Sequence, residues 1–119
     1  RVNARVAMDI STIVGCGIVR AQHDLVSHLY LGLLGPAAHS DDFRYVALVL
    51  LDARYREFRC ELAGDELPEI MSASVGQDEN GRQLVELTLG SGRIVLSCRG
   101  WIIDETPVPN SKLGGWHAR

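Results

Sequence analysis

The stretch that most limits what this chain can become is Arg82 to Asp104, RQLVELTLGSGRIVLSCRGWIID, where apolar and polar residues alternate on either side of one Gly-Ser-Gly. A period of two marks a strand with one buried face. Val85, Leu87 and Leu89 fall on one side of the first strand, with Leu84, Glu86 and Thr88 on the other. In the second, Ile94, Leu96, Cys98, Gly100 and Ile102 alternate with Arg93, Val95, Ser97, Arg99, Trp101 and Ile103. A two-residue loop at Ser91-Gly92, with Gly92 free to take positive φ, sets Leu89 against Ile94, Leu87 against Leu96 and Val85 against Cys98. Each pair then joins core to core. The same register puts Arg82 opposite Trp101, within reach of a cation–π contact.

Three further strands lead into this hairpin. Tyr45 to Leu51, YVALVLL, is apolar on both faces and reads as an interior strand. Tyr55 to Leu62 places Phe58, Cys60 and Leu62 inward and Tyr55, Glu57, Arg59 and Glu61 outward, with Arg56 at the rim. Glu69 to Val75 is weaker, with Met71, Ala73 and Val75 inward. A two-residue turn at Asn80-Gly81 would set Val75 against the outward Glu86. A three-residue loop, Glu79-Asn80-Gly81, pairs Val75 with Val85, Ala73 with Leu87 and Met71 with Leu89, so the apolar pattern selects it, with Gly81 left-handed. The five strands make an antiparallel meander from Tyr45 to Asp104.

Met8 to Arg20 is rich in β-branched residues and predicts an N-terminal strand, bent at Gly15 and Gly17. Asp24 to Leu34, DLVSHLYLGLL, predicts a short helix packed on the sheet. Asp24 suits an N-cap, Leu25, Leu29 and Leu33 share a face, and Gly35-Pro36 supplies the stop. The rival is a strand, because Leu29, Leu31 and Leu33 also alternate and Gly32 weakens a helix. The expected fold is therefore α+β: a meander of about five strands, an N-terminal strand and one helix, with an all-β barrel-like arrangement as the alternative. A single domain spans residues 8–108. Residues 1–7 and 109–119 lack periodicity or precede the natural start at Met8, and read as foreign to the domain.

Composition narrows the function classes. The 119 residues carry a net charge of −3, which falls to −7 without the terminal Arg1, Arg5, Lys112 and Arg119. Between Asp52 and Glu86 nine acidic residues face four arginines, which removes the footprint expected of a nucleic-acid binder; the excess reads as a solvated acidic face, with docking to a basic protein partner as the sharper alternative. The longest apolar run, Leu25 to Leu34, is too short to span a bilayer. Three scattered cysteines, Cys16, Cys60 and Cys98, suit buried thiols in a reducing cytoplasm better than a disulfide framework.

Motifs for chemistry are sparse. Gly15-Cys16-Gly17 lacks the third glycine of a dinucleotide loop and the lysine of a P-loop. His23 and His28 do not share a helical face, and no zinc spacing occurs, so neither metal nor cofactor is expected. Cys16, between two glycines, is the most accessible candidate for a reactive thiol, since Cys60 and Cys98 sit at inward positions. The loop His39-Ser40-Asp41-Asp42 gathers a base, a hydroxyl and two carboxylates, but adjacent loop residues rarely converge on one point.

What remains is a surface. The outward residues Tyr55, Glu57, Arg59, Leu84, Glu86, Val95, Arg99, Trp101 and Ile103 mix apolar and charged groups as interfaces do. They point to a non-enzymatic binding domain that forms a homodimer through this face. The alternative is a small-ligand-binding protein with an apolar cavity lined by Trp101 and Tyr55, and a third reading is an enzyme using the His39 loop.

Overall fold

The computed structural model describes residues 9–24, 27–37, 42–60 and 67–108. Eight strands follow one 3₁₀ turn at Ile10–Ile13: β1 (Gly17–His23), β2 (Leu29–Pro36), β3 (Phe43–Leu51), β4 (Arg54–Cys60), β5 (Ile70–Gln77), β6 (Gln83–Leu89), β7 (Gly92–Cys98) and β8 (Gly100–Val108). They form two antiparallel four-stranded sheets, one in the order β1-β2-β3-β8 and the other β4-β7-β6-β5. The second has a Greek-key order, since β4 lies beside β7 and not beside its successor β5.

The fold is thus not α+β, and the sheets do not close into a barrel. The segment expected to be a helix is the strand β2, paired on both sides by β1 and β3. The alternation of Leu29, Leu31 and Leu33 prevails, and all three are buried. Two glycines that weaken a helix are required here for space. A Cβ on Gly32 would lie 2.3 Å from the Tyr45 hydroxyl, and one on Gly35 would lie 2.6 Å from the Cys16 sulfur. Asp24 caps a turn instead of a helix, its Oδ1 accepting the His28 N–H at 2.9 Å. The N-terminal strand is shorter than expected: the chain turns at Ile10–Ile13, passes Gly15 at φ 95°, and is extended only from Gly17.

One core lies between the sheets. Ile18, Leu29, Leu31, Leu33, Val46, Leu48, Leu50 and Ile103 come from the first sheet; Ile70, Val85, Leu87, Leu89, Ile94, Leu96 and Cys98 come from the second. Ile10 and Ile13 of the 3₁₀ turn, Cys16 and Ala53 complete it. The inward set expected of the hairpin is therefore inward as far as Cys98, but its register differs. Leu89 pairs with Gly92, Leu87 with Ile94 and Val85 with Leu96, so the loop is Gly90-Ser91, two residues removed from the expected pairing. A slip of two keeps every side chain on its face, which is why alternation alone does not detect it.

The larger correction comes at Arg99-Gly100. Here the chain leaves the second sheet and joins the first, with Gly100 at φ 155°. Beyond this corner the inward parity changes, so Ile103 is fully buried and pairs with Leu48, while Ile102 is half-exposed. Trp101 pairs with Leu50, not Arg82, and packs on the core's margin, while Gln83, not Val85, stands opposite Cys98. Elsewhere the edges depart from expectation. Phe58 is 48% exposed, and a bulge at Ile70/Ser72 sets Ile70, not Met71, against Leu89. The β5–β6 loop is the three-residue one, with Gly81 at φ 78°, Val75 opposite Val85 and Ala73 opposite Leu87.

Arg82 ties the two crossings together. Its Nη1 donates to Asp52 Oδ2 at 3.0 Å, its Nε to Ser97 Oγ at 3.1 Å, and its Nη2 to the Ser97 and Asp52 carbonyls. Asp52, at φ 52°, starts the passage from β3 to β4, and its N–H donates to His28 Nδ1 at 3.0 Å. The Arg82 hydrogen bond holds the Asp52 carboxyl below its ordinary value. A carboxyl depressed in the folded state contributes stability above its unfolded pKa, and that contribution fades as pH falls through the folded value. Urea midpoints should therefore drop as wild type is acidified below about pH 4. Asp52→Asn should show a shallower drop; an unchanged slope would show that Asp52 is not part of the acid response.

Candidate functional site

On the outer face of the first sheet the backbone register produces a hollow. One cross-strand row runs Arg20–Gly32–Ala47–Asp104, and the next runs Gln22–Tyr30–Val49–Ile102. The two middle strands thus put their smallest side chains, Gly32 and Ala47, directly opposite each other, with larger ones a row away. The result is a depression of about 200 Å³ lined by Tyr30, Tyr45, Ala47 and Val49, with Arg20 and Gln22 beside them; the Tyr45 hydroxyl lies over Gly32, in the space a side chain there would take.

The polar groups around it are partly set in place. Arg20 Nη2 donates to Gln22 Oε1 at 2.9 Å, which steadies the guanidinium beside the hollow. A hydrogen bond to Asp24 holds the phenol of Tyr30 above its ordinary value, so it stays protonated and is a donor rather than a base. The volume is below the roughly 300 Å³ at which pockets for drug-sized ligands begin. It suits a fragment-sized flat group, with the rest of any ligand left in solvent.

The nine residues singled out from the sequence do not form one surface. Glu57, Arg59, Leu84, Glu86 and Val95 do share the outer face of the second sheet, where Val95 stands between Glu57 and Glu86. That face is laced by ion pairs: Arg93 reaches Glu86 at 2.5 Å and Glu57 at 3.7 Å, and Arg59 reaches Glu57 at 3.4 Å. These charges satisfy one another within the chain. Arg99 lies at the corner, Trp101 is in the other sheet, and Ile103 is in the core. Tyr55 pairs with Leu96 at the β4 edge, where His23 and Phe58 meet it edge-on at 5.1 and 5.4 Å. Burial keeps the Tyr55 phenol above its ordinary value.

The remaining chemical candidates are weaker still. Cys16 is fully buried, 3.7 Å from Arg44 Nη2. Burial pushes its thiol up despite the neighbouring guanidinium, the reverse of what a reactive cysteine needs. Arg44 is otherwise occupied by Glu105 at 2.7 Å and by the Thr12 carbonyl. Burial likewise raises the Cys98 thiol. His39, Ser40 and Asp41 lie outside the described residues, and Asp42 is exposed beside β3. Among the described residues no group of three or more His, Cys, Asp or Glu is arranged to hold a metal ion, and no helix is long and apolar enough to cross a membrane.

Sequence reasoning does not reach the hollow, because the hollow needs the β2–β3 register and the sequence predicts a helix where β2 lies. The one available signal was the run Tyr30-Leu31-Gly32 followed by Tyr45-Val46-Ala47, two aromatic-to-small steps at matching parity. Comparison with protein-family models, with curated proteins and with solved structures finds no match to this chain.

Proposed function

We propose that this protein is a small-ligand-binding domain whose ligand seats a flat apolar group over Ala47, beside Tyr30, Tyr45 and Val49, with a carboxylate turned toward Arg20. The observation that carries this reading is the hollow itself: two tyrosines and a guanidinium around Ala47, with Gly32 leaving room for the Tyr45 hydroxyl. Aromatic walls supply stacking area, and an arginine held by Gln22 offers two donors in a fork that matches a carboxylate. The ion-paired outer face of the second sheet offers no comparable opening, which favours ligand capture over docking through Glu57 and Glu86.

Benzoate and its ring-substituted relatives are suitable probes. In a titration followed by amide NMR, shifts are expected to cluster at Gly32, Ala47 and Arg20, with dissociation constants near the millimolar range typical of fragments this small. Ala47→Phe fills the hollow while leaving its partly exposed strand position apolar, and should abolish those shifts with the fold intact. Arg20→Ala should weaken binding by about tenfold, the loss of one charge-assisted contact. Shifts elsewhere, or none, would remove the proposal.

A further inference from the structure

The register of the first sheet sets two opposite charges at the ends of one row. Arg20 of β1, Gly32 of β2, Ala47 of β3 and Asp104 of β8 stand side by side across its outer face. The row Gln22–Tyr30–Val49–Ile102 flanks them on one side, and Gly17–Leu34–Tyr45–Thr106 flanks them on the other. Within these rows Arg20 and Asp104 are the charged residues, and those between and beside them carry none. Asp104 is exposed and pairs directly with Ala47, which lines the hollow, while its neighbour Ile103 is buried in the core behind. The alternation of β8 therefore puts the Asp104 carboxylate on the hollow's side of the sheet. Three strand spacings of about 4.8 Å set the Cα atoms of Arg20 and Asp104 about 14 Å apart. With both side chains leaning in, the span between them is that of one para-substituted benzene ring.

We propose that the ligand of the hollow is a zwitterionic aromatic acid, with its carboxylate on Arg20, its ring over Ala47 and a cationic amine, para to the carboxylate, turned to Asp104. This rests on the ring-and-carboxylate reading above and adds a second charge to it. A ring that carries a carboxylate alone meets a like charge at the far end of the row. An ammonium at that end turns the same aspartate into an attraction. The two protein charges also decide which way round the ligand lies. Reversed, it would set carboxylate against carboxylate and ammonium against guanidinium, and like-charge contacts suppress that orientation. Both charges are on exposed residues, where water screens them, so the gain from the second one is modest.

Amide NMR titrations of the whole chain test it by comparing para-(aminomethyl)benzoate with para-ethylbenzoate, which matches it in length and lacks the amine. Both should shift Gly32, Ala47 and Arg20, and the zwitterion should bind wild type about threefold tighter. Asp104→Asn should remove that preference without weakening para-ethylbenzoate, and Asp104→Glu should keep it. The amide spectrum of each variant reports its fold in the same experiment. Equal affinities in wild type, or a preference that survives Asp104→Asn, would overturn the second charge and leave the hollow as a site for simple aromatic acids. Shifts from neither ligand would remove the hollow reading, and this one with it.

Discussion

Gly92→Ala is expected to cost about 2–3 kcal/mol, while Gly90→Ala, two residues away, should change stability by no more than about 0.5 kcal/mol. A Cβ on Gly92 would stand 2.0 Å from the carbonyl oxygen of Arg59 and 2.8 Å from its carbonyl carbon. These are backbone atoms, so no rotamer change relieves the contact. The end of β4 must move away from β7, breaking the Arg59–Arg93 and Cys60–Gly92 pairs. A Cβ on Gly90 meets nothing within 4 Å. For a domain of this size the difference amounts to a melting-temperature gap of roughly 10–15 °C between the variants. In amide exchange, Arg59 and Cys60 should lose protection in Gly92→Ala first. Equal melting temperatures would mean that β4 does not lie against Gly92 at all.

That pair of glycines shows what alternation conveys and what it does not. Alternation predicts Gly92 in a turn, as a residue free to take positive φ. In the fold it belongs to β7, and it is glycine because a neighbouring strand passes where its side chain would be. Parity is local, so the buried faces of β6 and β7 could be read directly: Val85, Leu87, Leu89, Ile94, Leu96 and Cys98 are all buried. The β5–β6 loop was legible for the same reason, since only one loop length keeps Val75 and Val85 on one side. Sheet membership is not local. Nothing in Tyr45–Leu51 states that its neighbours are β2 and β8, or that β4 lies beside β7. The candidate hollow inherits that limit. Gly32 and Ala47 are unremarkable until a register sets them opposite each other, and Trp101 and Tyr55, the conspicuous aromatics, lie on different sheets.

The corner at Arg99-Gly100 gives the sharpest test of this difference. If the alternation of β7 ran on unbroken, Ile102 would be the core residue and Ile103 the exposed one. The structure reverses them, because the chain changes sheets at Gly100 and Arg99 donates its N–H to the Leu51 carbonyl at 2.8 Å. Ile103 then has no exposed surface and stands between Leu48 and the inner face of the second sheet. Ile103→Ala should cost about 3–4 kcal/mol, the removal of three buried carbons plus the cavity they leave. Ile102→Ala, at a half-exposed position opposite Val49, should cost about 1 kcal/mol, since only part of the same surface is withdrawn from water. Urea denaturation of the two variants measures both, and unchanged m-values would confirm that each variant retains the folded and unfolded states of wild type. The ranking matters more than either number. A larger loss in Ile102→Ala would restore a single long β7 strand, and with it the meander that the two-sheet arrangement replaces.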